Sequence, residues 1–361
     1  MIDLHIHGTM GRDFIEGNQE AVDAVSRDVV RDGVTSYAAS LTVLSHTRML
    51  EVVRGLAATE APRDGARFLG IHSEGPFISK EYKALMDERY IRAPNVKEME
   101  EMIRAASSGG EPRPQGLGGG TGRPGSLILM TFSPHYENFP EIMELGKKHH
   151  IAMMIGHSAA NCAQAIEALD RGAAGYTHFY NAMSPHHHRN EGVVTAGFVD
   201  RRGYTELIAD TVHVSERVLR FTYGVLTSKR IILVTDAMPG KSMADGTFTF
   251  SNLESIKKDG KAYVKATGRL AGSVIGLNEA LRNMKRICQV SDNELVEMAC
   301  VNPAKLLGRF GEIGSLEPGK KADIAVFNDR YDPVLTIVDG RIVRNSLTGE
   351  RLIKTERAIY G

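Results

Sequence analysis

Short, continuously apolar runs recur along the chain, and stretches with helical spacing lie between them. The runs begin at Ile2, Val34, Ala66, Ser126, His149, Ala173, Tyr204 and Arg230. They are apolar throughout rather than alternating, which is the pattern of parallel strands buried on both faces. The intervening segments, such as 18–32, "NFPEIMELGKKH" (138–149) and "NCAQAIEALDRG" (161–172), carry apolar residues three and four apart, as amphipathic helices do. Strand and helix alternating eight times predict a parallel sheet closed into a (β/α)8 barrel.

Two segments depart from this pattern. Residues 107–125, "SSGGEPRPQGLGGGTGRPG", have no apolar period and read as a surface loop. Their glycines lack the spacing and the following Lys-Ser/Thr of a phosphate loop. From residue 314 the chain turns to short strands. "VDGRIV" places Asp-Gly between apolar runs, a hairpin signal. The expected division is a barrel over 1–313 and a small β appendage over 314–361.

Composition narrows the setting. Of 361 residues, 42% are hydrophobic and 24% charged, ordinary for a globular protein. Lys+Arg and Asp+Glu both number 44, so no global field attracts nucleic acid or an anionic membrane. Three widely spaced cysteines, Cys162, Cys288 and Cys300, argue against a disulfide framework or a zinc finger. The opening residues lack a basic leader and a long apolar core, and no run approaches the ~20 apolar residues of a membrane span. A cytoplasmic location is the expectation.

The polar residues inside the apolar runs carry the chemistry. His5 and His7 alternate in "MIDLHIHG", so a strand points both to one side. Two neutral imidazoles so placed can grip one metal ion. Glu74 ends the third run, His157 the fifth, His178 the sixth and Asp236 the eighth. Barrel active sites form where strands end, so these side chains would converge on one mouth. Imidazole and carboxylate suit zinc, iron, cobalt or manganese, and the set fits a hydrolase with one or two divalent ions. Asp236 is the candidate proton carrier, with a helix N-cap as its plainer alternative.

These stretches resemble the amidohydrolase superfamily and, within it, the deacetylases of N-acetylglucosamine 6-phosphate. The resemblance rests on "IDLHIHG", "GIHSEGPFIS", "IGHSAAN", "THFYNAMSPHHHRNEG", "ELIADTVHV", "ILVTDAM", "LAGS" and "NPAKLLGRFGEIGSLEPGKKADIAVFN", nearly the whole chain. It implies that Glu74, His157 and His178 hold an inner ion, that His5 and His7 hold a second, and that Asp236 shuttles the proton. It also implies that Asn181, the Ala182 backbone, Arg189 and His213 bind an amino-sugar phosphate, with some contacts crossing a homodimer. An arginine suits phosphate because its planar fork pairs with the oxygens.

Two features depart from the resemblance. Met86 stands where relatives place a His or Gln that touches substrate, and a thioether donates no hydrogen bond. Relatives also carry β-strand before the two histidines, so the appendage is expected to be the C-terminal part of a β domain. Three alternatives stay open: the galactose epimer as substrate, a cyclic-amide hydrolase or deaminase, and a non-catalytic metal-binding relative.

Overall fold

The structure is a computed structural model that describes residues 1–107 and 125–347. Most of the Gly/Pro-rich segment and the end of the chain, 348–361, lie outside the described residues. Eight strands form one sheet in chain order, every neighbouring pair parallel. They are β1 (Ile2–Ile6), β2 (Ser36–Leu41), β3 (Arg67–Glu74), β4 (Leu127–Phe132), β5 (Ala152–Ile155), β6 (Gly175–Tyr176), β7 (Tyr204–Ile208) and β8 (Ile231–Val234). Backbone bonds join the first to the segment after the last. His7 N donates to Ala237 O at 2.7 Å and Asp236 N to His5 O at 2.8 Å, and Ile6 forms a parallel bridge with Ala237. The expected barrel is present.

Between the strands lie α1 (Gln19–Val29), α2 (His46–Ala57), α3 (Val96–Ser107), α4 (Phe139–Lys148), α5 (Cys162–Asp170), α6 (Val193–Val199), α7 (Glu216–Leu226) and α8 (Leu277–Cys288). Local chemistry starts several of them: Asn18 caps α1, Ser45 caps α2, and Asn161 with Gln164 forms a capping box on α5. The strands bury side chains on both faces. A large core is shared with the helices, and a smaller cluster joins Ile2, Leu4, Leu69, Ile208 and Val234 from β1, β3, β7 and β8. Among the described residues no helix is long and apolar enough to cross a membrane.

One element escaped the sequence reading. After β8 the chain makes a three-stranded antiparallel sheet, β9 (Gly246–Phe250), β10 (Leu253–Lys258) and β11 (Lys261–Val264). Phe248 and Phe250 alternate on its buried face and pack with Met238 and Ala271. Its second turn, Asp259-Gly260, has φ of 52° and 70°, the left-handed pair that a tight hairpin requires.

The described part of the appendage is a second small sheet, β12 (Ile324–Phe327), β13 (Pro333–Val338) and β14 (Arg341–Asn345). The anticipated Asp-Gly turn is there, with Asp339 and Gly340 at φ of 52° and 76°. The sheet packs on the barrel. Arg67, at the start of β3, forks onto Asp323, with one bond at 3.0 Å, and Thr336 Oγ1 donates to Val30 O at 2.9 Å.

A buried ion cluster fixes the segment that follows Asp236. Lys241 Nζ lies 2.6 Å from Asp28 and 2.8 Å from Asp32. Thr9 and Ser242 hydroxyls also donate to Asp28. Burial works against the Lys241 charge, but Asp32 and Asp28 outweigh it and raise its pKa. Lys241→Met would leave Asp28 buried without its cation. Breaking such a pair costs about 3–5 kcal/mol. The measurement is urea unfolding of both proteins; a loss under about 1 kcal/mol would show the cluster to be dispensable.

Candidate active site

The carboxyl ends of the strands surround a pocket of about 210 Å³. His7, Glu74, His157, His178 and Asp236 line it, with His5 buried behind. The ligand-type side chains fall into two groups, His5 with His7 and Asp236, and Glu74 with His157 and His178. Glu74 links them. Its Oε1 lies 3.0 Å from His157 Nε2 and 2.8 Å from His178 Nε2, and its Oε2 lies 3.2 Å from His7 Nε2. Asp236 Oδ1 is 3.2 Å from His7 Nε2 and 3.5 Å from His5 Nε2. Asp236 sits in the link after β8, and no helix begins there, so the N-cap alternative does not apply.

The backbone at this rim is held in an unusual form. His157, His178 and Asp236 have φ of 45°, 32° and 49°, a left-handed region that costs non-glycine residues of order 1 kcal/mol or more. Each follows the end of its strand and turns its side chain into the mouth. Neighbouring contacts hold the turns: Asp236 N bonds His5 O, and Phe179 N bonds Glu206 O at 2.9 Å.

The outer nitrogens of the rings decide what the inner ones present. His7 Nδ1 faces the Ser40 carbonyl at 3.1 Å, and His157 Nδ1 faces the Tyr82 carbonyl at 2.8 Å. A carbonyl only accepts, so each Nδ1 carries a proton and Nε2 is the nitrogen each ring can offer a metal ion. Yet His5 and His7 Nε2 are 3.2 Å apart, and His157 and His178 Nε2 are 3.0 Å apart. Two ring nitrogens at that range need a proton or a metal ion between them. The donor set therefore fits metal ions in both groups.

The electrostatics agree. Burial opposes a charged imidazole at His7, but Asp236 and Glu74 more than offset it and lift its pKa to about 9. The same carboxylates raise His5 well above its ordinary value against burial. Burial disfavours ionised Glu74, yet His5 and His157 hold it well below the carboxylate range. A field that draws protons to these rings also draws divalent cations. His72, just below, has Ser40 Oγ at 2.9 Å and Thr131 Oγ1 at 2.8 Å. Burial, reinforced by His5, pushes it far down, so it serves as a neutral support.

Asn181, Ala182 and His213 also line the pocket. Asn181 Nδ2 donates to His178 O at 3.1 Å, and Ala182 is at φ 51°. Arg189 is not brought to this pocket: it is exposed, in the loop before α6. Met86 is in the wall, between Leu85 and the cluster of Val43, Ile78 and Ile91. Sequence reasoning missed three contributors. Phe250 and Ser251 come from the sheet after β8, and Phe250 stacks edge-on with His7 at 5.3 Å. Glu206, fully buried on β7, reaches His5 Nδ1 at 3.3 Å. Its signal was a lone charge inside the apolar run "YTELIA".

Residues 1–343 match the Amidohydrolase family. The chain is 31% identical over 346 residues to N-acetylglucosamine-6-phosphate deacetylase of Bacillus subtilis, covering 95% of this chain and 83% of that protein. It is 31% identical over 329 residues to N-acetylgalactosamine-6-phosphate deacetylase of Escherichia coli O157:H7, covering 91% and 82%. A mutant of the Mycobacterium smegmatis N-acetyl-D-glucosamine-6-phosphate deacetylase, in complex with N-acetyl-D-glucosamine-6-phosphate, superposes with a TM-score of 0.85. That comparison covers 95% of this chain and 86% of the other at 26% identity.

His213 gives this site a pH signature. Its Nδ1 lies 2.6 Å from Asp210 and its Nε2 2.8 Å from the Ala271 carbonyl, so both nitrogens face acceptors and suit the doubly protonated ring. Burial opposes that charge, but Asp210 outweighs it and raises the pKa above 6.5. The stabilisation is full below the unfolded value and is lost as pH rises through the folded one. The stability gap between the wild type and Asp210→Asn, read by urea unfolding, should be widest near pH ~6 and narrow in alkaline buffer. A gap independent of pH would remove the charged pair from the account.

Proposed function

Because the chain belongs to the amidohydrolase family, we propose that it is a hydrolase that removes the acetyl group from an N-acetylated amino-sugar 6-phosphate. N-acetylglucosamine 6-phosphate is the first candidate. The observation that carries this is the meeting of four imidazoles and two carboxylates at one end of the barrel, around one pocket, in a chain similar along its length to such deacetylases. Glu74, His157 and His178 would hold one divalent ion, and His5, His7 and Asp236 a second, zinc before iron, cobalt or manganese. A bound ion supplies Lewis acidity that lowers the pKa of water and polarises a carbonyl.

The chain's own residues do the rest. Asp236 takes the proton from the attacking water and passes it to the departing nitrogen. A carbon–oxygen bond forms, the carbon–nitrogen bond breaks, and acetate and the amino-sugar phosphate leave. Asn181, Ala182 and His213 hold the sugar. The apolar wall of Leu85, Met86 and Phe250 keeps water from the reacting carbonyl except at the ions.

Among the described residues no lysine or arginine lines the pocket. We assign the phosphate to Arg189 of a second copy in a homodimer. Support comes from the position of Arg189 on an exposed loop running into α6, where Val199 is exposed and Phe198 meets the exposed Phe221 of α7 at 5.3 Å. We place the protein in the cytoplasm, where sugar phosphates form, and treat 1–313 as the catalytic unit with 314–361 as its appendage.

Acetate release from N-acetylglucosamine 6-phosphate and its galactose epimer, with metal analysis of the same sample, tests the reading. Release should stop when a chelator removes the metal and return on its addition; hydrolysis of neither sugar defeats the assignment. Asp236→Asn should keep the fold and lose ~10²–10⁴-fold in kcat; a loss within a few-fold would exclude it as the proton carrier. Arg189→Ala should raise KM for the phosphorylated sugar roughly 10- to 150-fold and leave the unphosphorylated sugar unchanged. Equal loss on both sugars would count against a phosphate role.

A further inference from the structure

Glu206 is a carboxyl group with no accessible surface in the interior of β7. Its partners are both donors. Oε2 lies 3.3 Å from His5 Nδ1 and accepts the His178 backbone N–H at 3.3 Å, while Oε1 has no hydrogen-bond partner among the described residues. Among the described residues its one ion-pair partner is His5, and no lysine or arginine reaches it. Oε2 therefore meets the first histidine pair at the outer nitrogen of His5, whose Nε2 faces His7, Glu74 and Asp236.

The proposed function supplies two ions, and this inference rests on that reading. Two divalent cations held there would face Glu74 and Asp236, and Glu206 would add a third carboxyl group behind His5. Its bond to Nδ1 also holds the His5 proton on the outer nitrogen and turns the Nε2 lone pair inward. A carboxylate behind a ligating imidazole makes that ligand more basic and fixes its orientation. The arrangement is one-sided: among the described residues His7 and His157 have backbone carbonyls in this position, and His178 Nδ1 has no hydrogen-bond partner. We infer that Glu206 is a positioning residue that makes His5 a strong ligand and so sets the affinity for the second divalent ion.

The test uses the zinc-loaded protein. Wild type, Glu206→Gln and Glu206→Asp are dialysed against graded chelator, and retained zinc per chain is counted by elemental analysis beside the melting temperature. The wild type should release zinc in two steps. In Glu206→Gln, which keeps size but removes charge, the first step should move to about 10–100-fold weaker affinity and the second should stay. Glu206→Asp keeps the charge at a shorter reach and should fall between the two. A first step unmoved in Glu206→Gln overturns the inference. So do both steps shifting equally, which marks a general lesion, and a wild type that holds only one ion. If Glu206→Gln does not fold, Glu206→Asp carries the test, and an unmoved first step there overturns it. A wild type that holds two ions but releases no acetate defeats the proposed substrate and leaves this inference standing.

Discussion

The seam where the sheet closes on itself is the constraint on which the rest depends. Asp236 N to His5 O and His7 N to Ala237 O are ordinary backbone bonds, each contributing about 1 kcal/mol net. They also fix the relative position of three ligand-type side chains. Thr235 reinforces the seam from below: its hydroxyl donates to Asp3 at 2.6 Å and its N–H faces the same carboxyl at 3.3 Å. Shape and chemistry therefore share one set of contacts. An error of one residue in this register would turn His5 and His7 away from Asp236.

The seam also organises what lies above it. The segment leaving Asp236 is held by Lys241 against Asp28 and Asp32, then rises into β9–β11, whose Phe250 covers His7. The outer ligand, the last carboxylate and the cover over both are tied to one stretch of backbone. Glu74 joins this side of the mouth to His157 and His178 on the other. The left-handed φ values at His157, His178 and Asp236 are the local cost of aiming three side chains inward from strands that would otherwise run on past the rim.

What the sequence disclosed follows from burial. Strands covered on both faces must be apolar throughout, so eight runs stood out, and polar residues at their ends were conspicuous against them. Asp339-Gly340 was legible because few residues accept two successive positive φ values. The same Asp-Gly signal at 259–260 marked the sheet after β8, but one face of that sheet is exposed, so Phe248 and Phe250 alternate with polar residues and merge with the surrounding loop. Glu206 was passed over because a single charge in a strand is commonly a solvated edge residue, and only the closed barrel makes it interior. Arg189 was read as a phosphate contact, yet sequence carries no measure of its distance from its own pocket.

The seam has a consequence for the way the chain is made. Thr235 and His5 are 230 positions apart, and ribosomes add ~5–20 residues per second. The first strand thus leaves the ribosome roughly ten to fifty seconds before its closing neighbour exists. During that wait β2 can pair along one side of β1, while the other side offers bare amides and carbonyls to any passing chain. The two histidines ride on this strand, ready to seize stray cations before their carboxylate has been synthesised. The first group of ligand-type side chains can therefore be completed only once residue 236 has left the ribosome.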